Sequence, residues 1–199
     1  MPRFRARRVL AAALAAAVVA TAAGCTTTGA DEPTKGAGGQ GYPGVARNLT
    51  RIDPAQRKTI GAVSGPELGG RGTLSVADHI GKVVVINVWG SWCTECRLEA
   101  ADLEAASRAT TKDVQFIGIT SKDLDQAPAL AYQRAFKITY PSIFDPDGKT
   151  LLAFAGQLPP SAVPSTLILD KQGRLAVRIL GPITKITLVD IITDIAAGK

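Results

Sequence analysis

Residues 83–103, with the sequence VVVINVWGSWCTECRLEAADL, decide the fold of this chain. The first part, Val83–Trp89, is a short run of almost wholly apolar and mostly β-branched residues, which predicts a strand buried on both faces of a sheet. Gly90 and Ser91 then provide a turn, and residues 95–103 are mostly good helix formers. The stretch therefore predicts a buried strand that passes through a tight turn into a helix.

Two cysteines lie at the passage from this strand to this helix. The first turn of a helix has unpaired N–H groups and a partial positive charge, which stabilise a thiolate. Cys93 is therefore predicted to be the nucleophile, and Cys96, one turn later on the same face, to resolve a mixed disulfide formed at Cys93. A purely structural disulfide is the alternative, although so short a loop adds little stability. The pattern favours a dithiol that exchanges with disulfides.

The apolar side chains around the motif are expected to serve packing. Leu98 and Leu103 are predicted to face the core from the helix, and Trp89 and Trp92 to pack in the core and at the rim of the site. No catalytic role is predicted for either tryptophan.

A metal site is a weaker alternative for the two cysteines. A structural zinc ion needs four ligands, and the only cysteines and histidine of the chain are Cys25, Cys93, Cys96 and His79. Cys25 lies in a different context, and His79 precedes the central strand, where a surface or capping role is expected. The sequence predicts neither a metal nor another cofactor.

The motif V-x-I-N-V-W-G-S-W-C-x-x-C-R-x-E resembles the active-site segment of the TlpA/ResA family, the membrane-anchored thioredoxin-fold thiol-disulfide oxidoreductases of the bacterial cell envelope. The resemblance extends to Asn87, where cytoplasmic thioredoxins carry a buried Asp. It also extends to Glu99, where the family has an acidic residue implicated in proton transfer. The chain departs from the family at Glu95 and Ala101, two positions at which the family usually has Pro.

The resemblance implies an α/β, thioredoxin-like three-layer fold with a central mixed sheet and an insertion of one helix and one strand. Hydrophobic runs and turn residues predict further elements that suit this fold. These are a buried strand at Val114–Thr120, a helix at Asp123–Phe136 that is broken or begun near Pro128, a short strand at Tyr140–Phe144, paired strands at Leu167–Asp170 and Leu175–Leu180, and a closing amphipathic helix at Thr187–Ala197.

Pro164 is a further candidate site residue. Base rates alone favour a trans bond before a loop proline. Val163-Pro164 nevertheless aligns with the cis-proline loop of the thioredoxin fold, so the resemblance implies a cis bond beside the cysteines.

The N-terminal segment predicts export. Four arginines within the first eight residues precede the apolar run Val9–Ala23, which is too short and Ala-rich for a spanning helix. Small residues directly before Cys25 resemble a bacterial lipobox, so Cys25 is the candidate lipid attachment site, with a simple secretory signal or uncleaved anchor as alternatives. We predict a lipoprotein signal peptide at 1–24, a flexible tether at 25–56 and a thioredoxin-like domain at 57–199.

Charge and cysteine content agree with an exported single domain. Four units of the formal charge of +6 come from the signal's arginines, which leaves +2 for the remainder and argues against nucleic-acid binding. Beyond Cys25 there are two cysteines, which leaves none for a disulfide scaffold. A copper carrier of the Sco type and a peroxiredoxin are disfavoured, because the longer C-x-x-x-C with a downstream histidine and the Pro-x-x-x-Thr-x-x-Cys motif are both missing.

We therefore expect an extracytoplasmic, lipid-anchored oxidoreductase that reduces disulfides in exported proteins. The resemblance implies a membrane electron donor of the CcdA/DsbD type and a substrate such as apocytochrome c. An oxidant that introduces disulfides, or a non-catalytic lipoprotein that binds a partner, are the alternatives. The reducing direction follows from Glu95, whose charge disfavours a thiolate at Cys93, while Arg97 is expected to swing into solvent and have less effect.

Overall fold

The computed structural model describes residues 48–70, 72–110 and 113–199. The predicted signal peptide, Cys25 and the tether up to residue 47 lie outside these residues. Within the described part of the chain, no helix is long and apolar enough to cross a membrane.

A six-stranded mixed sheet forms the centre of the domain, as predicted. Its strands are β1 (Leu49–Arg51), β4 (Val83–Trp89), β5 (Val114–Ser121), β6 (Ser142–Asp145), β7 (Ser165–Leu169) and β8 (Leu175–Leu180). The spatial order is β1-β8-β7-β4-β5-β6, with β4, β5 and β6 parallel and the other pairs antiparallel. The remaining strands, β2 (Ser64–Pro66) and β3 (Thr73–Ser75), form a separate hairpin.

The central strand β4 is buried on both faces, which confirms the interpretation of its apolar run. All seven of its residues are buried. Val83 and Val85 pack into one core cluster, whereas Val84, Ile86 and Val88 pack into a second cluster on the opposite face. Each such side chain contributes about 1.5–3 kcal/mol by leaving water, so both layers depend on this strand.

Two helices cover one face of the sheet. α1 (Thr94–Ala109) follows β4, and α3 (Lys185–Ala196) closes the chain. Leu103 of α1 and the predicted apolar face of α3 lie in the same core cluster, and the members from α3 are Leu188, Ile191, Ile192 and Ile195. α3 begins two residues earlier than predicted, because the Thr184 side chain caps its first turn by accepting a hydrogen bond from the Thr187 amide.

The opposite face is covered by shorter elements. Phe154, from a 3₁₀ turn at Thr150–Phe154, and Val63 and Val76, beside the β2–β3 hairpin, pack into the second cluster. Both of these stretches contain several prolines and glycines, which disfavour a long helix there. The predicted three-layer arrangement is present, with a thin second outer layer.

The prediction that Leu98 faces the core is wrong. Leu103 is 1% exposed and Leu98 is 74% exposed. Leu98 follows Cys96 by two residues, which is about 200° around a helix, so the two side chains leave opposite sides of α1. The buried stripe instead runs through Cys96, Ala100 and Leu103, at helical spacing.

The insertion comprises α2 (Gln126–Phe136) and the edge strand β6. α2 begins between the predicted limits of Asp123 and Pro128, because the Asp125 carboxylate caps it by accepting a hydrogen bond from the Ala127 amide at 2.7 Å. Asp123, predicted as a helix residue, therefore lies in the loop before α2.

The predicted boundary at residue 57 is too late. Within the stretch assigned to the tether, β1 pairs with β8, and Leu49 lies opposite Ile179. The Ile52 amide also donates to the Ala176 carbonyl at 2.8 Å. A three-residue edge strand has no composition that distinguishes it from a linker, and its order comes from hydrogen bonds to a strand more than 120 residues away.

Candidate functional site

Cys93 and Cys96 lie at the start of α1, where the sequence places them. They are joined by a disulfide with Cα atoms 5.3 Å apart. Cys93 is the residue before the first helical position, and its sulfur accepts a hydrogen bond from the Cys96 amide at 3.1 Å. Cys93 is 5% exposed and Cys96 is fully buried, so Cys93 is the one that solvent or a partner can touch.

The turn between β4 and α1 leaves no space for a side chain at Gly90. A Cβ atom there would lie 2.5 Å from Trp92 Nε1, and the indole N–H itself donates to the Ser121 carbonyl at 3.1 Å. Trp92 is 51% exposed, so part of its ring faces solvent beside the turn that leads to Cys93. This position agrees with the packing role predicted at the rim.

A tyrosine that sequence analysis did not select lies beneath the disulfide. The Tyr132 hydroxyl donates to the Cys96 carbonyl at 2.7 Å, and its ring stacks on Trp89 with the centroids 4.4 Å apart. Burial raises the pKa of Tyr132 well above its usual value, so the hydroxyl keeps its proton as a donor. An aromatic residue on a predicted helix is more often core than site, and the sequence holds no stronger signal.

Glu99 is buried in the domain one turn after Cys96. One carboxylate oxygen accepts from Asn87 Nδ2 at 3.0 Å, and the other accepts from the Ile183 amide at 3.2 Å. Desolvation by burial raises the pKa of Glu99 from 4.5 to about 7, against the two hydrogen bonds, which lower it. Because residues three apart share a helix face, Glu99 lies on the same buried side of α1 as Cys96.

Pro164 lies in the loop before β7, and its peptide bond with Val163 is cis, as the resemblance implies. Val163 packs against the apolar cluster that contains Cys93 and Cys96. The fold therefore brings this loop to the cysteines from more than sixty residues away along the chain.

Arg97 is exposed, as expected, but its guanidinium is held by local contacts. Its guanidinium donates to the Ser91 carbonyl at 2.9 Å and lies 5.7 Å from the centre of the Tyr132 ring. It also lies 5.9 Å from the Phe136 ring centre. α2 supplies both aromatic faces, and the cation–π contacts hold the charge next to the turn that precedes Cys93.

His79 lies apart from these residues, in a 3₁₀ turn at Val76–His79. The residue is half-buried, and its backbone carbonyl accepts a hydrogen bond from the Lys82 amide. In the described ranges, no three residues among His, Cys, Asp and Glu are placed to hold a metal ion.

A buried strand, a dithiol at the N-terminus of the following helix and a cis-proline loop on one mixed sheet define a thiol-disulfide oxidoreductase of the thioredoxin fold. The model of the AhpC/TSA family matches residues 61–178, more than half of the sequence, and the chain belongs to this family. The fold and the class of activity are therefore those that the sequence motif predicts.

Individual relatives agree with this assignment. The thiol:disulfide interchange protein HelX of Rhodobacter capsulatus is 29% identical over 164 residues, which cover 80% of this chain and 89% of HelX. ResA of Bacillus cereus, a thiol-disulfide oxidoreductase, is 26% identical over 113 residues, 56% of this chain and 62% of ResA. The crystal structure of a DsbF homologue from Corynebacterium diphtheriae superposes with a TM-score of 0.70 at 34% identity, covering 77% of this chain and 96% of that one. The resemblance to the TlpA/ResA family is confirmed.

Proposed function

We propose that this protein reduces disulfides in exported proteins through Cys93 and Cys96. The observation that carries the proposal is the dithiol at the start of α1, with a slightly exposed first cysteine, a buried second cysteine and a buried carboxyl one turn below. A non-catalytic binding protein would need neither the second cysteine nor that carboxyl.

The proposed reaction has two exchange steps. The Cys93 thiolate attacks one sulfur of the substrate disulfide, so that a mixed disulfide forms and the other substrate sulfur leaves as a thiolate. The Cys96 thiol then loses its proton and attacks Cys93, which re-forms the internal disulfide and releases the second substrate sulfur. Two electrons pass from the protein to the substrate, and the two substrate thiolates take up protons.

Glu99 is proposed to take the proton from Cys96 in the second step. A group exchanges protons most effectively when its pKa lies close to the working pH, and burial raises the pKa of Glu99 to about 7. Asn87 and the Ile183 amide hold the carboxyl in a fixed position. Cys96 is fully buried, so its thiol cannot give its proton directly to water. It needs a nearby acceptor such as Glu99.

The reducing direction is proposed from the carboxylates around the dithiol. Glu95 lies in the first turn of α1, and Glu99 is buried one turn further on. Negative charges near a thiolate disfavour it, so the reduced form is stabilised less than in a strong oxidant.

A reduction potential near that of thioredoxin, about −270 mV, is therefore expected for the Cys93/Cys96 pair. Equilibration with glutathione, with thioredoxin as a standard in the same buffer, measures it. A value near that of DsbA, about −120 mV, would contradict the reducing direction.

One observation favours the oxidant as a second candidate. Arg97 is held beside the turn before Cys93 by the Ser91 carbonyl and the two aromatic rings, and a fixed cation favours a nearby thiolate. Its charge opposes that of Glu95, and because both residues are exposed, solvent screens both charges. The measured potential decides between the two directions.

The proposed partners are an exported protein with a disulfide, such as apocytochrome c, and a membrane donor of the CcdA/DsbD type that re-reduces Cys93 and Cys96. Support comes from the TlpA/ResA motif and from relatives named as thiol:disulfide interchange proteins. Re-reduction must come from a membrane protein if the domain works outside the cytoplasm, where the glutathione and thioredoxin that keep cytosolic thiols reduced are absent.

Attachment to the extracytoplasmic face of the membrane through a lipid on Cys25 is also proposed. Cys25→Ser is expected to move the protein from the membrane to the soluble fraction and to remove the mass added by the lipid. The catalytic domain should stay folded, because its core lies beyond residue 48. Thr27→Ser is the control and should remain membrane-bound. Membrane attachment of Cys25→Ser equal to that of the parent would contradict lipidation at this residue.

A further inference from the structure

The turn before Cys93 is tied to a carboxylate from a different part of the sheet. Asp123, in the loop between β5 and α2, is 4% exposed and accepts three hydrogen bonds. The Ser91 amide donates to Oδ2 at 3.0 Å, and the Ser91 hydroxyl donates to Oδ1. The Thr120 hydroxyl donates to Oδ2 at 2.6 Å. Both carboxylate oxygens are used, and two of the three donors belong to a residue two positions before the nucleophile.

The backbone of this loop is shaped to present Asp123 to the turn. Lys122 has φ of +62°, a left-handed conformation that is uncommon for a residue other than glycine. The chain reverses directly after β5, so that Asp123 points back to Thr120 and Ser91. Since such a conformation persists only where surrounding contacts hold it, the hydrogen bonds to Asp123 maintain the loop as well as the turn.

Further contacts fix the same turn from its other sides. The Arg97 guanidinium donates to the Ser91 carbonyl, so every polar group of Ser91 has a partner. The Trp92 indole donates to the carbonyl of Ser121, the last residue of β5, directly before the loop that carries Asp123. The Cys93 amide donates to the Gly90 carbonyl at 3.1 Å, which closes the turn itself.

We propose that Asp123 is a positioning residue for the dithiol: by holding Ser91 it fixes the turn that places the Cys93 sulfur at the N-terminus of α1. The sulfur already accepts the Cys96 amide in this arrangement, and that contact stabilises a thiolate at Cys93. Asp123 acts through the backbone of Ser91 and takes no part in the exchange reaction itself. The proposal rests on Cys93 as the attacking residue, which is part of the proposed function.

The position of Asp123 and its negative charge would change the reduction potential of the Cys93/Cys96 pair in opposite directions. If Asp123 acted by its negative charge, its removal would favour the Cys93 thiolate and make the pair more oxidising. If it acts by position, its removal loosens the turn, weakens the contact between the sulfur and the helix N-terminus, and makes the pair more reducing. An amide keeps the shape of the carboxylate and an acceptor oxygen without the charge, so Asp123→Asn separates the two effects.

The experiment compares Asp123→Ala, Asp123→Asn and Ser91→Ala with the wild type. Each full-length protein is equilibrated with glutathione, and the alkylation rate of Cys93 is measured against pH. A matched control is Asp145→Ala, because Asp145 is 5% exposed and its carboxylate accepts the Lys149 and Thr150 amides of its own turn. Loss of that carboxylate tests what a merely structural defect does to the same two readouts.

Asp123→Ala is expected to shift the glutathione equilibrium about tenfold toward the disulfide, which corresponds to about 30 mV, and to raise the pH midpoint of alkylation. Asp123→Asn, which keeps an acceptor oxygen, should stay close to the wild-type equilibrium. Ser91→Ala loses the hydroxyl donor but keeps the amide donor, so it should show part of the shift. Asp145→Ala should leave both readouts at wild-type values. If Asp123→Ala does not fold, Ser91→Ala and Asp123→Asn still give the sign of the effect.

Three results would overturn the proposal: equal oxidising shifts in Asp123→Ala and Asp123→Asn, wild-type values in Ser91→Ala together with Asp123→Ala, or the same shift in Asp145→Ala. A failure of the proposed function appears differently. In that case the wild-type protein itself would show no exchange with glutathione through Cys93.

Discussion

Cys96→Ser is expected to accumulate mixed disulfides with substrate, at least tenfold above the wild type. Attack by Cys93 needs only that its sulfur is reachable, whereas release needs a second thiolate one helical turn away. A serine hydroxyl does not attack a disulfide, so the covalent intermediate persists until another thiol reaches it.

The measurement uses reduced variant protein and a disulfide-containing peptide that carries a label. The fraction of protein bound to the label is followed on non-reducing gels after quenching with acid. Cys93→Ser is the matched variant, because it leaves a thiol at position 96 but removes the predicted nucleophile. It should trap little or no peptide. Equal trapping by both variants would contradict the assignment of Cys93 as the attacking residue.

Glu99→Gln is expected to gain stability over the wild type as the pH rises. The carboxyl of Glu99 is 2% exposed, and its pKa is raised from 4.5 to about 7 in the folded protein. An acid with a raised pKa binds more protons when folded than when unfolded between these two pH values, so the wild type loses stability from about pH 4.5 to pH 7. Between these two pH values, Glu99 lowers the free energy of unfolding of the wild type by about 3 kcal/mol. Above pH 7 this loss stays constant.

A glutamine at position 99 has no proton to lose in this range. Asn87 Nδ2 and the Ile183 amide are both donors, so the glutamine has to place its own NH2 group against one of them. This lowers the free energy of unfolding by about 1–3 kcal/mol at every pH. The informative quantity is therefore the change with pH of the stability difference between variant and wild type, not the difference at one pH.

Denaturant unfolding of the oxidised proteins between pH 4.5 and pH 8 measures this quantity without interference from free thiols. Glu95→Gln, which removes an exposed carboxylate from the same helix, is the comparison for effects of charge alone. We expect the difference for Glu99→Gln to grow by about 3 kcal/mol and to level off above pH 7. A difference that does not change with pH would show that Glu99 is not an unusually basic carboxyl, and would remove it as the proton acceptor of the proposed mechanism.

The core of the fold could be predicted because local patterns and tertiary packing agree there. The six apolar residues of β4 can all leave water only if the strand lies between two layers, and the glycine turn and helix formers after them leave one connection to α1. The closing helix shows its buried face at helical spacing in the sequence. Leu98 was misjudged because hydrophobicity alone does not say where on a helix a residue lies, and the buried stripe is set by Cys96, Ala100 and Leu103.

The edges of elements were harder to predict than their centres. α2 begins at Gln126 because Asp125 caps it, whereas the Asp123 carboxylate accepts a hydrogen bond from the Ser91 amide in the neighbouring turn. Neither partner can be chosen from the local sequence. β1 forms because its backbone pairs with β8, and the local composition does not reveal this pairing.

The sequence by itself determined the class of fold, the dithiol and its place at a helix N-terminus, because each depends on residues that are neighbours along the chain. Only the tertiary structure decided the environment of that dithiol: Tyr132 beneath Cys96, Arg97 held over two rings, and Asp123 bonded to Ser91. The parallel pairing of β4 with β5 is the physical reason, since it brings the loop after β5 and the helix α2 to the end of β4 where the cysteines lie. Residues thirty or more positions apart thereby share one site, and their burial and partners exist only once the sheet has formed.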